Sequence, residues 1–229
     1  MSWVAIVPVK GNPGAKSRLG ERPDRAGLAD AFALDTVAAL LAARGVDRVL
    51  VVTGDGELAG RLAELGADIV REVRAPATDP GVGAAPPGPV RPADPLNAAI
   101  RQGLSVARAT FPQANLAVLT GDLPALTPAD VERTLHLAAA HGRSLVPDAA
   151  GTGTTTLLAL AGIPIEPRFG VGSRAAHEAA GHVPLALPAS VSIQYDVDTA
   201  VDLAVAQHLG LGPHTRRLVD GAPAPAAPH

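Results

Sequence analysis

Short, unbroken apolar runs alternate along this chain with alanine-rich stretches of helical length, and that alternation limits the fold more than any other feature. The runs are residues 3–9, 48–53, 68–70, 114–120, 144–147 and 154–160. A strand with one face in water shows polar residues at every second position, whereas these are mostly apolar and show no such alternation. They therefore read as strands buried on both faces. The intervening stretches, residues 24–43, 57–65 and 128–140, read as helices, with Leu28, Phe32, Asp35, Val37 and Leu40 on one face of the first. Strand and helix in alternation predict an α/β fold, a single Rossmann-like domain with a mostly parallel sheet covered by helices on both faces. With 47% hydrophobic and only 2% aromatic residues, the core is built from Ala, Val, Leu and Ile. The domain is expected over residues 1–212. Residues 75–95, rich in Pro, Gly and Ala, exceed the roughly 12–15 residues of an ordinary connection and read as a lid or an irregular loop. Residues 213–229, ending Ala-Pro-Ala-Pro-Ala-Ala-Pro-His, read as a disordered tail.

Several function classes are disfavoured at this level. The formal net charge of -3 gives no basic surplus for a phosphate backbone, so nucleic acid is not an expected partner. The chain has no cysteine, which excludes disulfides, thiolate metal sites and a cysteine nucleophile. No run approaches the roughly 18 apolar residues of a membrane span, and the N-terminal residues lack the pattern of a signal peptide. A cytoplasmic protein without a membrane partner is expected.

In parallel sheets, ligands bind beyond the carboxyl ends of the strands. The residues that follow each strand are thus the ones to read for chemistry. After the first strand comes Lys10-Gly11-Asn12-Pro13-Gly14-Ala15-Lys16-Ser17-Arg18-Leu19. Lys10, Lys16 and Arg18 can neutralise an anion, and the glycines let backbone N–H groups approach it closely. A triphosphate suits this loop, and so does a solvated basic turn. A P-loop would need glycine where Lys10 and Ala15 stand, so that motif is absent.

After the strand ending at Leu119, the chain reads Thr120-Gly121-Asp122-Leu123-Pro124. Gly121 suits a tight bend, and Asp122 is placed to ligate Mg²⁺, a hard cation that prefers oxygen donors. Thr53-Gly54-Asp55 has the same look after another strand, and a turn or cap aspartate accounts for either. In Tyr195-Asp196-Val197-Asp198-Thr199, an extended backbone puts Asp196 and Asp198 on one side. A divalent metal suits that pair, while Asp198 or Thr199 could instead cap the helix expected over residues 200–208. The remaining polar cluster joins Gly151-Thr152-Gly153-Thr154 to Arg168-Phe169-Gly170-Val171-Gly172-Ser173-Arg174, with Ser173 at or near the start of a helix. The seven histidines show no zinc spacing and are read as surface or structural.

Taken in order, these stretches resemble the phospholactate/phosphoenolpyruvate guanylyltransferases of deazaflavin coenzyme (factor 420) biosynthesis. The resemblance rests on 7–10 with 15–19, Asp94-Pro95-Leu96-Asn97, 121–126, 151–154, 168–170 and 196–199, and spans residues 4 to about 212. It implies a GT-A-like nucleotidyltransferase using GTP and Mg²⁺. It implies that Lys10, Lys16 and Arg18 hold the triphosphate, with Asn97 and Gly121 also at the nucleotide. Asp122 with Asp196 or Asp198 would hold the metal, and Thr154, Gly170 and Ser173 the acceptor. It further implies phosphoenolpyruvate as acceptor, with 2-phospho-L-lactate and 3-phosphoglycerate as alternatives. A molybdopterin- or sugar-phosphate-type transferase and a non-catalytic GTP-binding regulator are the competing readings. A homodimer and coupling to the next enzyme of the pathway are compatible with it.

Overall fold

The computed structural model describes residues 2–9, 25–73 and 94–221. Lys10, Lys16, Arg18 and nearly all of the 75–95 loop lie outside these. Seven strands form one sheet: β1 (Trp3–Pro8), β2 (Val46–Thr53), β3 (Asp68–Arg71), β4 (Asn115–Leu119), β5 (Arg143–Pro147), β6 (Thr154–Ala159) and β7 (Val183–Pro184). Their order is β3-β2-β1-β4-β6-β5-β7. All run parallel except β6, which is antiparallel to both β4 and β5. The expected mostly parallel α/β sheet is therefore present, with one strand reversed. The reversal places the start of β6, at Thr154, on the edge where the other strands end.

Both faces of the sheet are covered, which is why the strands read as continuous apolar runs. Trp3, Ala5 and Val7 pack on one face with α1 (Arg25–Ala42), α2 (Gly56–Glu64) and α4 (Pro128–Ala138), through Leu34, Val37, Leu40, Leu58, Leu62 and Leu135. Val4 and Ile6 point the other way, onto Ile100, Leu104 and Ala107 of α3 (Pro95–Thr110). No expectation above covers α3, although Asp94 followed by Pro95 is a start signal. Asp94 caps the helix by accepting from Asn97 N–H, and Pro95 sits in the first turn. Gly103 lets α3 lie close to the sheet: a Cβ there would stand 2.5 Å from Ile6 Cγ2 and 2.8 Å from Val52 Cγ2.

A third cluster, with Leu28, Phe32, Ala125, Val197, Leu203, Ala206 and Leu211, fastens α6 (Ala200–Leu209) to α1. The segment beyond Pro213 departs from the expected tail. Residues Pro213–Val219 form α7, because buried Asp35 of α1 accepts from the N–H groups of His214 (2.9 Å) and Thr215 (2.8 Å). That cap comes from 180 residues away and is invisible in the local sequence. Residues 222–229 lie outside the described residues. Among the described residues, no helix is long and apolar enough to cross a membrane.

Candidate active site

The strand order reverses between β1 and β4, and the crevice at their carboxyl ends is where a sheet of this kind takes a ligand. Val9 leaves β1 there, bonded through its N–H to Val52 C=O at 2.9 Å. Gly121 leaves β4 beside it: a Cβ on Gly121 would lie 3.2 Å from both Pro8 O and Val9 Cγ2. Close approach of two chain segments, rather than a left-handed backbone, is what requires glycine at this position. The next residue but one, Leu123, is fixed from α1, its N–H donating to Thr36 Oγ1 at 3.0 Å.

The Asp196–Asp198 segment is stitched to the same edge along its length. Asp130 of α4 accepts from both the N–H and the hydroxyl of Ser192, at 2.9 and 2.6 Å. Thr155 Oγ1 donates to Ile193 C=O at 2.7 Å, and Ala149 N–H donates to Gln194 C=O at 2.8 Å. Finally, Val197 N–H donates to Asp122 C=O at 3.0 Å. Val197 itself is buried in the third cluster, so its neighbours Asp196 and Asp198 project away from it, as the alternation predicted.

This convergence shows in the charge state of Asp196. Its carboxyl is pushed up to about 7, first by loss of solvent and then by the negative charges of Asp122, Asp198 and Asp148, while a bond from its own backbone N–H acts the other way. Asp148 completes the acidic set. It follows β5, accepts from Thr152 N–H at 2.9 Å and packs against Gly153, where a Cβ would collide with its carboxylate. Asp148, Tyr195, Asp196, Asp198, Asp202 and Val205 line a cleft of about 250 Å³. A larger hollow of about 630 Å³ lies at the opposite, amino edge of the sheet, around Gly142, Arg143, Ile163 and Gly181; none of its lining residues is a carboxylate.

Two ambiguous aspartates are now assigned. Asp55 is the N-cap of α2, accepting from Glu57 and Leu58 N–H at 3.0 Å each, so Thr53-Gly54-Asp55 is structural. Thr199, not Asp198, caps α6, in a capping box with Asp202. Asp202 is thereby occupied by the backbone at 198–199.

A search with protein-family models finds none that matches the chain. Curated relatives do match over nearly its full length. The phosphoenolpyruvate guanylyltransferase of Streptomyces scabiei is 48% identical, covering 94% of each chain. That of Streptomyces coelicolor is 46% identical with the same coverage, and that of Thermomonospora curvata is 41% identical over 98% of this chain and 91% of its own. The chain belongs to the phosphoenolpyruvate guanylyltransferase family. It is a nucleotidyltransferase, and its fold agrees. A protein from Desulfovibrio desulfuricans described as a nucleotide-diphospho-sugar transferase superposes with a TM-score of 0.62 at 18% identity, covering 95% of this chain and 91% of that one. A 4-diphosphocytidyl-2C-methyl-D-erythritol synthase superposes with a TM-score of 0.55 at 14% identity, covering 91% and 97%.

The enzyme's remaining site candidates divide. Thr154 is buried at the start of β6, with its Oγ1 3.0 Å from His177 Nδ1. Gly170 has φ 131, and Ser173, buried, is the first residue of α5 (Ser173–Ala179). Asn97, expected at the nucleotide, is 2% exposed and bonds within the protein: Oδ1 accepts from Phe169 N–H at 2.9 Å, and Nδ2 donates to Phe169 C=O at 3.0 Å and to Asp94. Asn97 therefore holds the 168–170 turn. Asp148 was missed by sequence reading, although the signal that selects Asp122, an acid directly after a buried strand, selects it too.

Proposed function

We propose that the enzyme transfers GMP from GTP to phosphoenolpyruvate, giving enolpyruvyl-diphospho-guanosine and pyrophosphate, in deazaflavin coenzyme biosynthesis. One observation carries the reading: the bond from Val197 N–H to Asp122 C=O, which draws carboxylates from two distant loops to the switch point of the sheet. The names of the relatives supply the acceptor and the guanylyl group.

Mg²⁺ is the proposed cofactor. Mg²⁺ is usually held by one or two carboxylates together with substrate phosphates. The donors present are all oxygens, and the crowding that raises Asp196 is what a divalent ion relieves. Asp122 with Asp196 or Asp198 would hold it, and when bound it supplies positive charge to phosphate oxygens.

The chain's own residues do the rest. Lys10, Lys16 and Arg18, outside the described residues, hold the triphosphate and neutralise the departing pyrophosphate. Gly121 keeps the β4 loop low enough for the nucleotide to approach. Thr154, Gly170 and Ser173 hold the acceptor, whose phosphate oxygen attacks the α-phosphorus in line. That phosphate is already ionised at neutral pH, so no side-chain base is required, and catalysis is positioning plus charge neutralisation.

The test is pyrophosphate release with each NTP, Mg²⁺, and phosphoenolpyruvate, phospholactate or phosphoglycerate. GTP with phosphoenolpyruvate is expected to give the highest rate, and release that ignores the acceptor refutes the reading. Asp122→Ala is expected to lose ~100-fold or more in turnover while GTP binding partly survives. Wild-type turnover in that variant removes Asp122 from the mechanism.

A further inference from the structure

We infer that His177 is the positioning residue of the acceptor site: its imidazole fixes the Thr154 hydroxyl as a hydrogen-bond donor to an anionic substrate oxygen and holds the 168–170 turn beside it. The inference deepens the proposed function and rests on its assignment of Thr154 and Gly170 to the acceptor.

His177 is fully buried on α5, between the start of β6 and the 168–170 turn. Its Nε2 lies 2.9 Å from Arg168 N, whose N–H points at it. A ring nitrogen that accepts carries no proton, so in the neutral ring the proton sits on Nδ1. Nδ1 is 3.0 Å from Thr154 Oγ1. The direction of that bond follows: Nδ1–H donates and the hydroxyl accepts. The hydroxyl's own proton is left over, and among the described residues Oγ1 has no second partner.

A lone serine or threonine hydroxyl rotates to give or to take a hydrogen bond as its guest requires. Here Nδ1–H already takes one lone pair, so the hydroxyl proton is left free to be given to a guest. That suits an oxygen of a carboxylate or phosphate, and a donor oriented before the substrate arrives costs no reorganisation when it does. The ring must stay neutral for this to hold, since an imidazolium would point a second proton at Arg168 N–H. The surroundings agree: burial first, then His182 and Arg168, lowers His177 to about 4. The Phe169 and His182 rings stand edge-on to it at 5.2 and 5.8 Å. Asn97 holds the next residue of the same turn, Phe169, by both its N–H and its C=O, so His177 and Asn97 together set where Gly170 begins.

The test has two arms. In the first, steady-state constants for both substrates are measured for wild type, His177→Gln, Thr154→Val and the double variant, with Thr154→Ser as the conservative control. Gln can still accept from Arg168 N–H but leaves Thr154 without its donor. His177→Gln and Thr154→Val are each expected to raise the KM for phosphoenolpyruvate by ~10-fold and to leave that for GTP within ~2-fold. The double variant is expected to be no worse than either single one, because both remove the same interaction. Thr154→Ser, which keeps the hydroxyl, is expected to recover most of the phosphoenolpyruvate affinity lost in Thr154→Val. Additive losses, or equal changes in both KM values, overturn the inference, as does a normal phosphoenolpyruvate KM in His177→Gln. The second arm needs no variant: ¹⁵N-histidine NMR of the intact wild-type protein from about pH 5.5 to 8 is expected to show His177 protonated on Nδ1 and bare on Nε2. The opposite tautomer, or a titrating ring, overturns it. Failure of the proposed function appears as a wild-type protein inactive with phosphoenolpyruvate. Failure of this inference appears in the tautomer or in the variants of an active enzyme.

Discussion

Replacing Asp196 by Asn is expected to make the metal-free protein more stable and less active at once. The carboxyl of Asp196 is raised from 3.8 to about 7 by burial and by Asp122, Asp198 and Asp148. Between those two values the folded chain holds a proton that the unfolded chain has released. Stability from this group is therefore present at low pH and is lost as pH rises through about 7. At pH 8 the folded protein carries the full charge, and a displacement of about three pH units corresponds to about 4 kcal/mol. Asp196 is only partly buried and Asp198 is exposed, so solvent and side-chain relaxation reduce this to roughly 2–3 kcal/mol. Asn has the shape of the protonated carboxyl and carries no charge. In calorimetry at pH 8 with chelator, Asp196→Asn is expected to melt roughly 5–10 °C above wild type. The difference is expected to shrink as pH falls below about 7, to roughly under half of its pH 8 value by about pH 5, and to vanish only below about 3.8, where the unfolded carboxyl is protonated too. Added Mg²⁺ is expected to raise the wild-type transition by more than that of the variant. A variant no more stable than wild type at pH 8 in chelator would show that the four carboxylates do not share one charge-crowded site.

Three further outcomes follow from the same contacts. Asp35→Ala strips the cap from α7 and leaves two backbone N–H groups without their acceptor; denaturant unfolding is expected to show a loss of roughly 2–3 kcal/mol with turnover little changed. Gly153→Ala drives a methyl into the Asp148 carboxylate; it is expected to cost ~1–3 kcal/mol and to raise the Mg²⁺ concentration for half-maximal activity several-fold, read by metal titration of turnover. Asn97→Ala leaves the Phe169 peptide unpaired in the core; a loss of roughly 2–4 kcal/mol is expected, together with a higher KM for phosphoenolpyruvate and a GTP KM that moves less.

Much of this molecule was legible in one dimension because burial on both faces writes itself into composition. A strand such as Val49-Leu50-Val51-Val52 has to be apolar at every position when helices cover both sides, and an acid directly after it stands out. The α/β class and the acidic stretches at Asp122 and Asp196–Asp198 followed from that local signal, and the family from the order of the motifs. What a residue does once it reaches the sheet edge was not local. Asp55 and Asp122 look alike in sequence; a helix that starts at the next residue makes the first a cap, and a bond from a segment 75 residues away draws the second to Asp196. Asn97 carries a motif residue's signature, yet its partner is Phe169, 72 residues on. His177 shows no motif at all, and α7 exists because of Asp35, far upstream. The sequence by itself determined which segments are buried and which carry charge, since hydrophobicity and charge belong to single residues. The tertiary structure alone decided which charges meet, which hydroxyl is left to donate and where the last helix begins, since those depend on hydrogen bonds between segments that only folding brings together.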